Sequence, residues 1–166
     1  MNTDDAGDER RGRGGQRPSN HTAARLFVVT FLVAVAVNFV WEIGQSPLFG
    51  PMGGWLSGSW RCFVASLGDG VIVLAIAAVG CLVFRRVEWF VRPGLAGYVL
   101  MGALGLAVAV AIEIGARATG RWSYTDQMPL IPGVHVGLVP VLQMLVLPPL
   151  AFGSAARWVK AKKDRG

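Results

Sequence analysis

Residues 26–47 read LFVVTFLVAVAVNFVWEIGQSP. The first twelve are apolar except for Thr30, as is typical of the first half of a membrane-spanning helix. Asn38, Glu42 and Gln45 then follow at spacings i, i+4 and i+7, so they share one face of a helix. The stretch therefore predicts a membrane helix that has a polar face near one end.

The whole chain has the composition of a membrane protein. Of its 166 residues, 53% are hydrophobic and 16% are charged, and the mean hydropathy is +0.48. The net charge of +6 does not indicate nucleic-acid binding, because the basic residues flank apolar runs and form no patch with interleaved aromatic residues. Cys62 and Cys81 are separated by most of an apolar segment, which argues against a disulfide within the chain.

The lengths of the apolar segments predict the fold class. A bilayer core about 30 Å thick is crossed by about 20 residues of helix. Four segments are long enough, at about 24–45, 63–84, 94–117 and 136–158. We therefore predict an all-α, polytopic membrane protein with four transmembrane helices in 24–158. Residues 1–23 have no apolar periodicity and are predicted to be a disordered charged tail, and 159–166 form a basic tail.

The positive charges beside the spans predict the orientation, because Lys and Arg are retained on the cytoplasmic side during insertion. With both termini inside, thirteen of the sixteen Lys and Arg residues lie on the inner side, and Arg61, Arg117 and Arg121 lie outside. The sequence thus predicts an N-in, C-in, multi-pass protein of the bacterial cytoplasmic (inner) membrane. Membrane lipid is the first expected partner, and a homo-oligomer is left open.

Polar residues of the other three spans are predicted to lie at the depth of those in the first. Asp69 and Glu113 fall in the outer parts of the second and third spans, Gln143 lies in the outer half of the fourth, and His135 just precedes it. A charged side chain near the bilayer centre costs about 2.5–3.5 kcal/mol on insertion scales, so such groups face the bundle interior and find partners. The coincidence predicts one polar cluster that is either reactive or structural.

We interpret the carboxylates Glu42, Asp69 and Glu113 as catalytic candidates, since two like carboxylates in one site commonly divide into an acid and a base. Glu113 can also form a salt bridge with Arg117, at i+4 on its own helix. No cofactor or metal is predicted, because the two histidines cannot hold a haem between facing helices and no paired metal-ligand motif is present. The candidate substrate-binding residues are Asn38, Trp41, Gln45, Arg117, Trp122, Tyr124, His135 and Gln143.

Three further patterns bear on packing. Small residues recur every four positions in the third span and predict close helix packing, at Ala103, Ala107, Ala111 and Gly115. The pair Pro148-Pro149 predicts a bend in the fourth span that can open a crevice toward lipid. The outer connections, about 46–62 and 118–135, contain Trp and Tyr residues and are expected to fold over the mouth of the bundle.

Four motifs carry a resemblance: WExxQxP at 41–47, SLGD at 66–69, GxWxY at 120–124 and GLxPxLQMxxLPP at 137–149. Over most of 24–158 the chain resembles a group of small bacterial four-span membrane proteins, which implies a fold and not an activity. More faintly, the GxWxY element before a helix with a proline is similar to the membrane-embedded lycopene cyclase domains of carotenoid synthesis. Those domains have carboxylates where this chain has Gln143. The second resemblance implies an apolar lipid or isoprenoid ligand.

Three functions from different classes fit these residues. In the first, the chain is an enzyme that performs acid–base chemistry on an apolar lipid. The three carboxylates are then its proton donors and acceptors, and the amides are orienting groups. Alternatively, it is a small proton-coupled carrier, which as a four-span bundle would need to dimerise. The third alternative is a noncatalytic membrane subunit whose polar cluster holds the bundle together and whose basic tail binds anionic lipid.

Overall fold

The computed structural model describes residues 20–50 and 53–163. These residues form four α-helices, which are α1 (Asn20–Gln45), α2 (Trp55–Phe84), α3 (Gly94–Ala118) and α4 (Leu138–Lys163). Short 3-10 turns, Ser46–Leu48 and Trp89–Val91, follow α1 and α2. Each helix is long and apolar enough to cross a membrane, which confirms the predicted all-α fold with four spans. The predicted disordered tail covers 1–23, and its residues 1–19 lie outside the described residues.

Three helices extend beyond the predicted spans. α1 begins at Asn20, α4 continues to Lys163 through much of the basic segment 159–166, and α2 begins at Trp55, eight residues before the predicted start. An apolar run marks only the part of a helix that lies in lipid, and a helix continues past it while no proline or glycine turn stops the backbone hydrogen bonds. Asp69 consequently lies halfway along α2 and not near its first residues.

The helices pack as neighbours in the order α3, α4, α1, α2, so α1 lies between α2 and α4. Glycines mark two close approaches. A Cβ added at Gly70 of α2 would lie 2.8 Å from Val35 and 2.9 Å from Phe31 of α1, and one added at Gly105 of α3 would collide with the backbone carbonyl of Met144 in α4. α3 therefore packs mainly on α4.

The small-residue stripe on α3 is not the face that packs. Its four residues, Ala103, Ala107, Ala111 and Gly115, are all exposed, so this stripe does not pack against another helix of the described chain. The buried residues of α3 also include a set at four-residue spacing, but in another register: Gly97, Met101, Gly105, Ala109 and Glu113. The sequence shows both stripes, and only the position of α4 decides between them.

One end of the bundle is closed by aromatic side chains. Trp89 and Phe90, in the turn after α2, are buried against Phe152 of α4. Trp89 Nε1 donates to the carbonyl of Ala77 at 2.9 Å, and its ring occupies the space that a side chain at Gly80 would need. This cluster could not be predicted from the sequence, because the pattern of the connection shows only its positive charges.

That end also contains the start of α1 and the end of α4. The Arg25 guanidinium carbon of α1 lies 5.3 Å from the ring centroid of Trp158 in α4. We call this the terminal end of the bundle. The opposite end, where α1 finishes at Gln45 and α4 begins at Leu138, is called the site end.

Candidate functional site

Gln143, in the second turn of α4, connects three helices at the site end. Its Nε2 lies 2.9 Å from Asn38 Oδ1 and 3.0 Å from Glu42 Oε1 of α1, and 2.8 Å from Asp69 Oδ2 of α2. Its side-chain oxygen accepts a hydrogen bond from Gln45 Nε2 at 2.8 Å. Gln143 is 2% exposed and Asn38 is fully buried. We call these five residues, Asn38, Glu42, Gln45, Asp69 and Gln143, the carboxylate cluster.

The polar face of α1 is organised by bonds along the helix. Gln45 Nε2 donates to Glu42 Oε1 at 2.8 Å, three residues earlier, and Trp41 Nε1 donates to Gln45 Oε1 at 3.3 Å. Asn38 Nδ2 donates to the carbonyl of Ala34 at 2.8 Å, which turns its oxygen toward Gln143. The side chains of the WExxQ pattern therefore hold one another in place by hydrogen bonds within α1, since residues three and four apart on a helix are neighbours.

The cluster has more acceptors than one donor can serve. The Gln143 amide nitrogen carries two hydrogens, but three oxygens lie within 3.0 Å of it. Two of those oxygens belong to Glu42 and Asp69, and since both lie within 3.0 Å of one nitrogen they are at most about 6 Å apart, where like charges repel. A proton on one carboxyl group would supply the missing donor and remove one of the two charges.

Glu113 of α3 belongs to a second set of contacts. Its Oε2 accepts a hydrogen bond from the Tyr124 hydroxyl and another from Trp122 Nε1 at 3.4 Å. The Tyr124 hydroxyl in turn accepts the backbone N–H of Gly137 at 3.0 Å, just before α4 begins. Glu113 is 3% exposed, so these partners compensate for its removal from water.

The end of α3 explains how Trp122 and Tyr124 reach Glu113. Gly120 has a φ of +64°, the left-handed conformation that glycine adopts readily after a helix. The N–H of Arg121 donates to the carbonyl of Ala116 at 2.9 Å, and that of Gly120 to Arg117 at 3.2 Å, which is the Schellman pattern. The chain therefore turns back along its own helix. The alternation in GxWxY then places both rings on the side that faces Glu113.

The two connections at the site end, between α1 and α2 and between α3 and α4, pair with each other beside this set. Phe49 and Tyr124 form an antiparallel bridge, with the N–H of Gly50 donating to Ser123 at 2.9 Å and that of Thr125 to Leu48 at 3.0 Å. The Phe49 ring centroid lies 5.8 Å from that of Tyr124 and 6.3 Å from that of Trp122. This pairing joins the ends of α1 and α3, whose main packing partners in the bundle are other helices.

Arg117 and His135 contact each other in a way that the sequence did not indicate. The Arg117 guanidinium donates to the backbone carbonyl of His135 and lies 5.9 Å from the ring centroid of Tyr124. Glu113 has its hydrogen bonds with Tyr124 and Trp122. The predicted Glu113–Arg117 salt bridge is therefore replaced by these contacts. His135 has a φ of +53° and an exposed side chain, so only its backbone reaches the site.

Burial against Glu113 changes the acidity of Tyr124, which lies outside the helices. Loss of water around the phenol and the hydrogen bond to the Glu113 carboxylate raise the pKa of Tyr124 to about 12. Its hydroxyl thus remains protonated at neutral pH and can donate to Glu113 while it accepts from Gly137. This single group holds the end of α3 to the start of α4.

The predicted residues thus form two sets and not one. The structure brings Asn38, Glu42, Gln45, Asp69 and Gln143 together, with Trp41 attached, and it groups Glu113 with Arg117, Trp122 and Tyr124. Glu113 has its hydrogen bonds in the second set, although it lies close enough to Glu42 for their charges to interact. Within the described ranges, no group of three or more His, Cys, Asp or Glu residues is placed to hold a metal ion.

Comparison of the chain with protein-family models, with curated proteins and with solved structures gives no significant match. The family resemblance that the four motifs suggest therefore stays a prediction. The motifs do acquire a physical meaning from the contacts. WExxQ, the Asp of SLGD and the Gln of GLxPxLQ meet in the carboxylate cluster, whereas GxWxY and the Gly of GLxPxLQ meet at Glu113.

Proposed function

We propose that this chain is an enzyme of the bacterial cytoplasmic membrane, with both termini in the cytoplasm, that performs acid–base chemistry on an apolar isoprenoid lipid. One observation supports the proposal above the others. Glu42 and Asp69, from two different helices, lie within hydrogen-bond distance of the same amide nitrogen of Gln143. Two carboxyl groups that share a donor are suited to act as a proton donor and a proton acceptor.

The reaction class follows from what such a pair can do without a cofactor. One carboxylic acid adds a proton to a carbon of a double bond, and the other carboxylate removes a proton from a neighbouring carbon. The substrate keeps its atomic composition, so the net result is a shifted double bond or a closed ring. The negative carboxylate also stabilises the positive charge that develops on the substrate between the two steps.

The aromatic residues grouped with Glu113 at the site end support an apolar substrate. Phe49, Trp122 and Tyr124 lie together at the site end, and rings of this kind commonly line sites for apolar ligands. In this proposal Glu113 is a positioning residue, because its hydrogen bonds hold Trp122 and Tyr124 in place. Asn38, Gln45 and Gln143 orient the two reacting carboxyl groups.

Mass spectrometry of total lipid and pigment extracts tests this proposal. The source cells are compared with the gene deleted and with the deletion complemented by wild type, Glu42→Gln, Asp69→Asn or Asp126→Asn. We expect one apolar lipid to accumulate in the deletion and to persist with the first two variants. Asp126 is exposed in the outer loop, so Asp126→Asn is the matched control that restores the wild-type profile. Identical extracts from all strains, with every variant folded and present, would contradict the enzyme proposal.

A noncatalytic subunit is the second candidate, and the hydrogen bonding of the cluster favours it. Among the described residues, every buried side-chain nitrogen and oxygen has a hydrogen-bond partner. A buried network in which each polar atom has a partner, even a shared one, can serve structure alone. In that case, Glu42→Gln and Asp69→Asn leave the lipid profile unchanged but reduce the amount of folded protein recovered from the membrane.

A further inference from the structure

A groove outside both polar sets runs along the outer surface of α4. It has a volume of about 440 Å³ and lies between Tyr98 of α3 and the part of α4 that extends from Leu145 to Arg157. This volume is within the range of about 300–1,000 Å³ that is typical of small-molecule sites. The groove lies toward the terminal end, so the carboxylate cluster takes no part in it.

The floor of the groove is apolar and open. Pro149 and Gly153 line it, and a Cβ added at Gly153 would have no neighbouring atom within 4 Å. Leu150 is 52% exposed along the same surface. This part of α4 contains the Pro148-Pro149 pair, and the groove corresponds to the lipid-facing crevice that this pair predicts.

The two ends of the groove differ in polarity. Leu145 marks the apolar end, whereas Arg157, Ser154 and Tyr98 bring a guanidinium and two hydroxyl groups to the other. Twelve residues of helix separate Leu145 from Arg157, or about 18 Å at 1.5 Å per residue. One leaflet of a bilayer core is about 15 Å thick. The groove therefore has the length of one acyl chain, with a positive charge at the level of the headgroup.

The terminal end, where Arg157 lies, is mainly basic. Its other described charged side chains are Arg25, Arg85, Arg86, Arg92 and Lys160, against one acidic residue, Glu88. Juxtamembrane Lys and Arg attract anionic lipids of the cytoplasmic leaflet. Charge complementarity thus selects an anionic headgroup at the end of the groove where Arg157 lies.

We propose that this groove binds one anionic phospholipid of the terminal-end leaflet. An acyl chain lies over Pro149 and Gly153, and the phosphate accepts hydrogen bonds from Arg157, Ser154 and Tyr98. The site is separate from the proposed enzymatic site. It holds whether or not the carboxylate cluster is reactive.

Native mass spectrometry of the purified full chain tests this site. The protein is reconstituted in nanodiscs of equal parts phosphatidylglycerol and phosphatidylcholine and then released, and the retained lipids are counted. We expect the wild type to retain one phosphatidylglycerol, with a preference over phosphatidylcholine of about fivefold, which corresponds to about 1 kcal/mol for one basic contact near the surface. Arg157→Gln is expected to remove the preference, and Gly153→Leu to remove the retained lipid by filling the groove.

Matched variants separate the groove from general effects. Arg86→Gln removes a positive charge at the same end but outside the groove. Gly115→Leu adds the same side chain to an exposed helix position where an added Cβ likewise has no atom within 4 Å. Both are expected to behave as the wild type, with circular dichroism showing that all four variants are folded. Unchanged lipid retention in Gly153→Leu would overturn the proposal. The proposal would also be overturned if the wild type were a dimer and Gly153→Leu made it a monomer. The groove would then be a contact between two copies of this chain.

Discussion

The carboxylate cluster depends on Gln143, whose amide connects α4 to acceptors on α1 and α2. Replacing it by leucine keeps a similar volume but leaves buried acceptors without their donor. We expect Gln143→Leu to lower the free energy of unfolding by about 1–3 kcal/mol, the usual cost of an unsatisfied buried polar group. Chemical unfolding in micelles, followed by circular dichroism, measures this change.

The control for this prediction is Gln127→Leu, because Gln127 is exposed in the connection between α3 and α4. It is expected to change stability little. Equal stabilities for Gln143→Leu and Gln127→Leu would show that Gln143 does not hold the three helices together.

Tyr124 gives the site a dependence on alkaline pH. Its pKa is raised to about 12 in the folded protein, from 10.0 for an unperturbed phenol. A raised pKa means that the folded state favours the protonated form, so the stabilisation by Tyr124 is complete below pH 10 and is lost as the pH rises toward about 12.

Ultraviolet titration of the phenol tests this value. The chain has two tyrosines, so a Tyr98→Phe variant leaves Tyr124 as the only phenol that titrates. We expect its midpoint near 12 in the folded protein. In the same background, Glu113→Gln should lower the midpoint, because the carboxylate that accepts the phenol proton in a hydrogen bond is removed. A midpoint near 10 in both proteins would contradict the contact with Glu113.

The sequence predicted some contacts of single residues and not others. The bonds among Trp41, Glu42 and Gln45 follow from helical spacing, which needs no knowledge of the other helices. The contacts of Gln143 with its three acceptors depend on how α4 is rotated about its axis relative to α1 and α2. A pattern within one segment of sequence cannot predict that rotation. The GxWxY motif was a usable signal for the contacts of Glu113, because a glycine after a helix predicts a chain that turns back.

At the scale of elements, glycines decide how closely the helices approach. Gly80 and Gly105 have Trp89 and the Met144 carbonyl where a methyl group would lie, whereas Gly115 has open space. We expect Gly80→Ala and Gly105→Ala to destabilise the fold by about 1–3 kcal/mol through overpacking. Gly115→Ala should instead stabilise α3 by about 0.5–1 kcal/mol through its backbone entropy. Thermal unfolding of the three variants in one detergent measures the difference, and equal midpoints would contradict these contacts.

Helices were predicted more reliably than their ends or their packing faces. The apolar runs were long enough to identify all four spans, but α2 continues for two turns beyond its run, which moves Asp69 to the middle of the helix. The exposed stripe at Ala103 and the buried stripe at Gly105 have equal four-residue spacing. Which of the two stripes is buried can be decided only when the position of the neighbouring helix is known.

At the scale of the whole molecule, the distribution of charge predicts the orientation in the membrane. Arg117 and Arg121 lie at the site end, whereas most basic residues lie at the terminal end. In a Cys62→Ala/Cys81→Ala background, we expect a membrane-impermeant maleimide to label Asp126→Cys in intact cells. Lys160→Cys should be labelled only after permeabilisation. The reverse pattern would show that the carboxylate cluster lies nearer the cytoplasmic face.

In the reaction that we propose, Glu42 and Asp69 transfer protons to and from an apolar lipid. The most direct test uses membranes of the deletion strain, which hold the accumulated substrate, mixed with purified protein in heavy water. The account predicts a product that has gained one deuterium on carbon with the wild type, and no product with Glu42→Gln or Asp69→Asn. A product that forms without deuterium, or that forms equally with both variants, would contradict it.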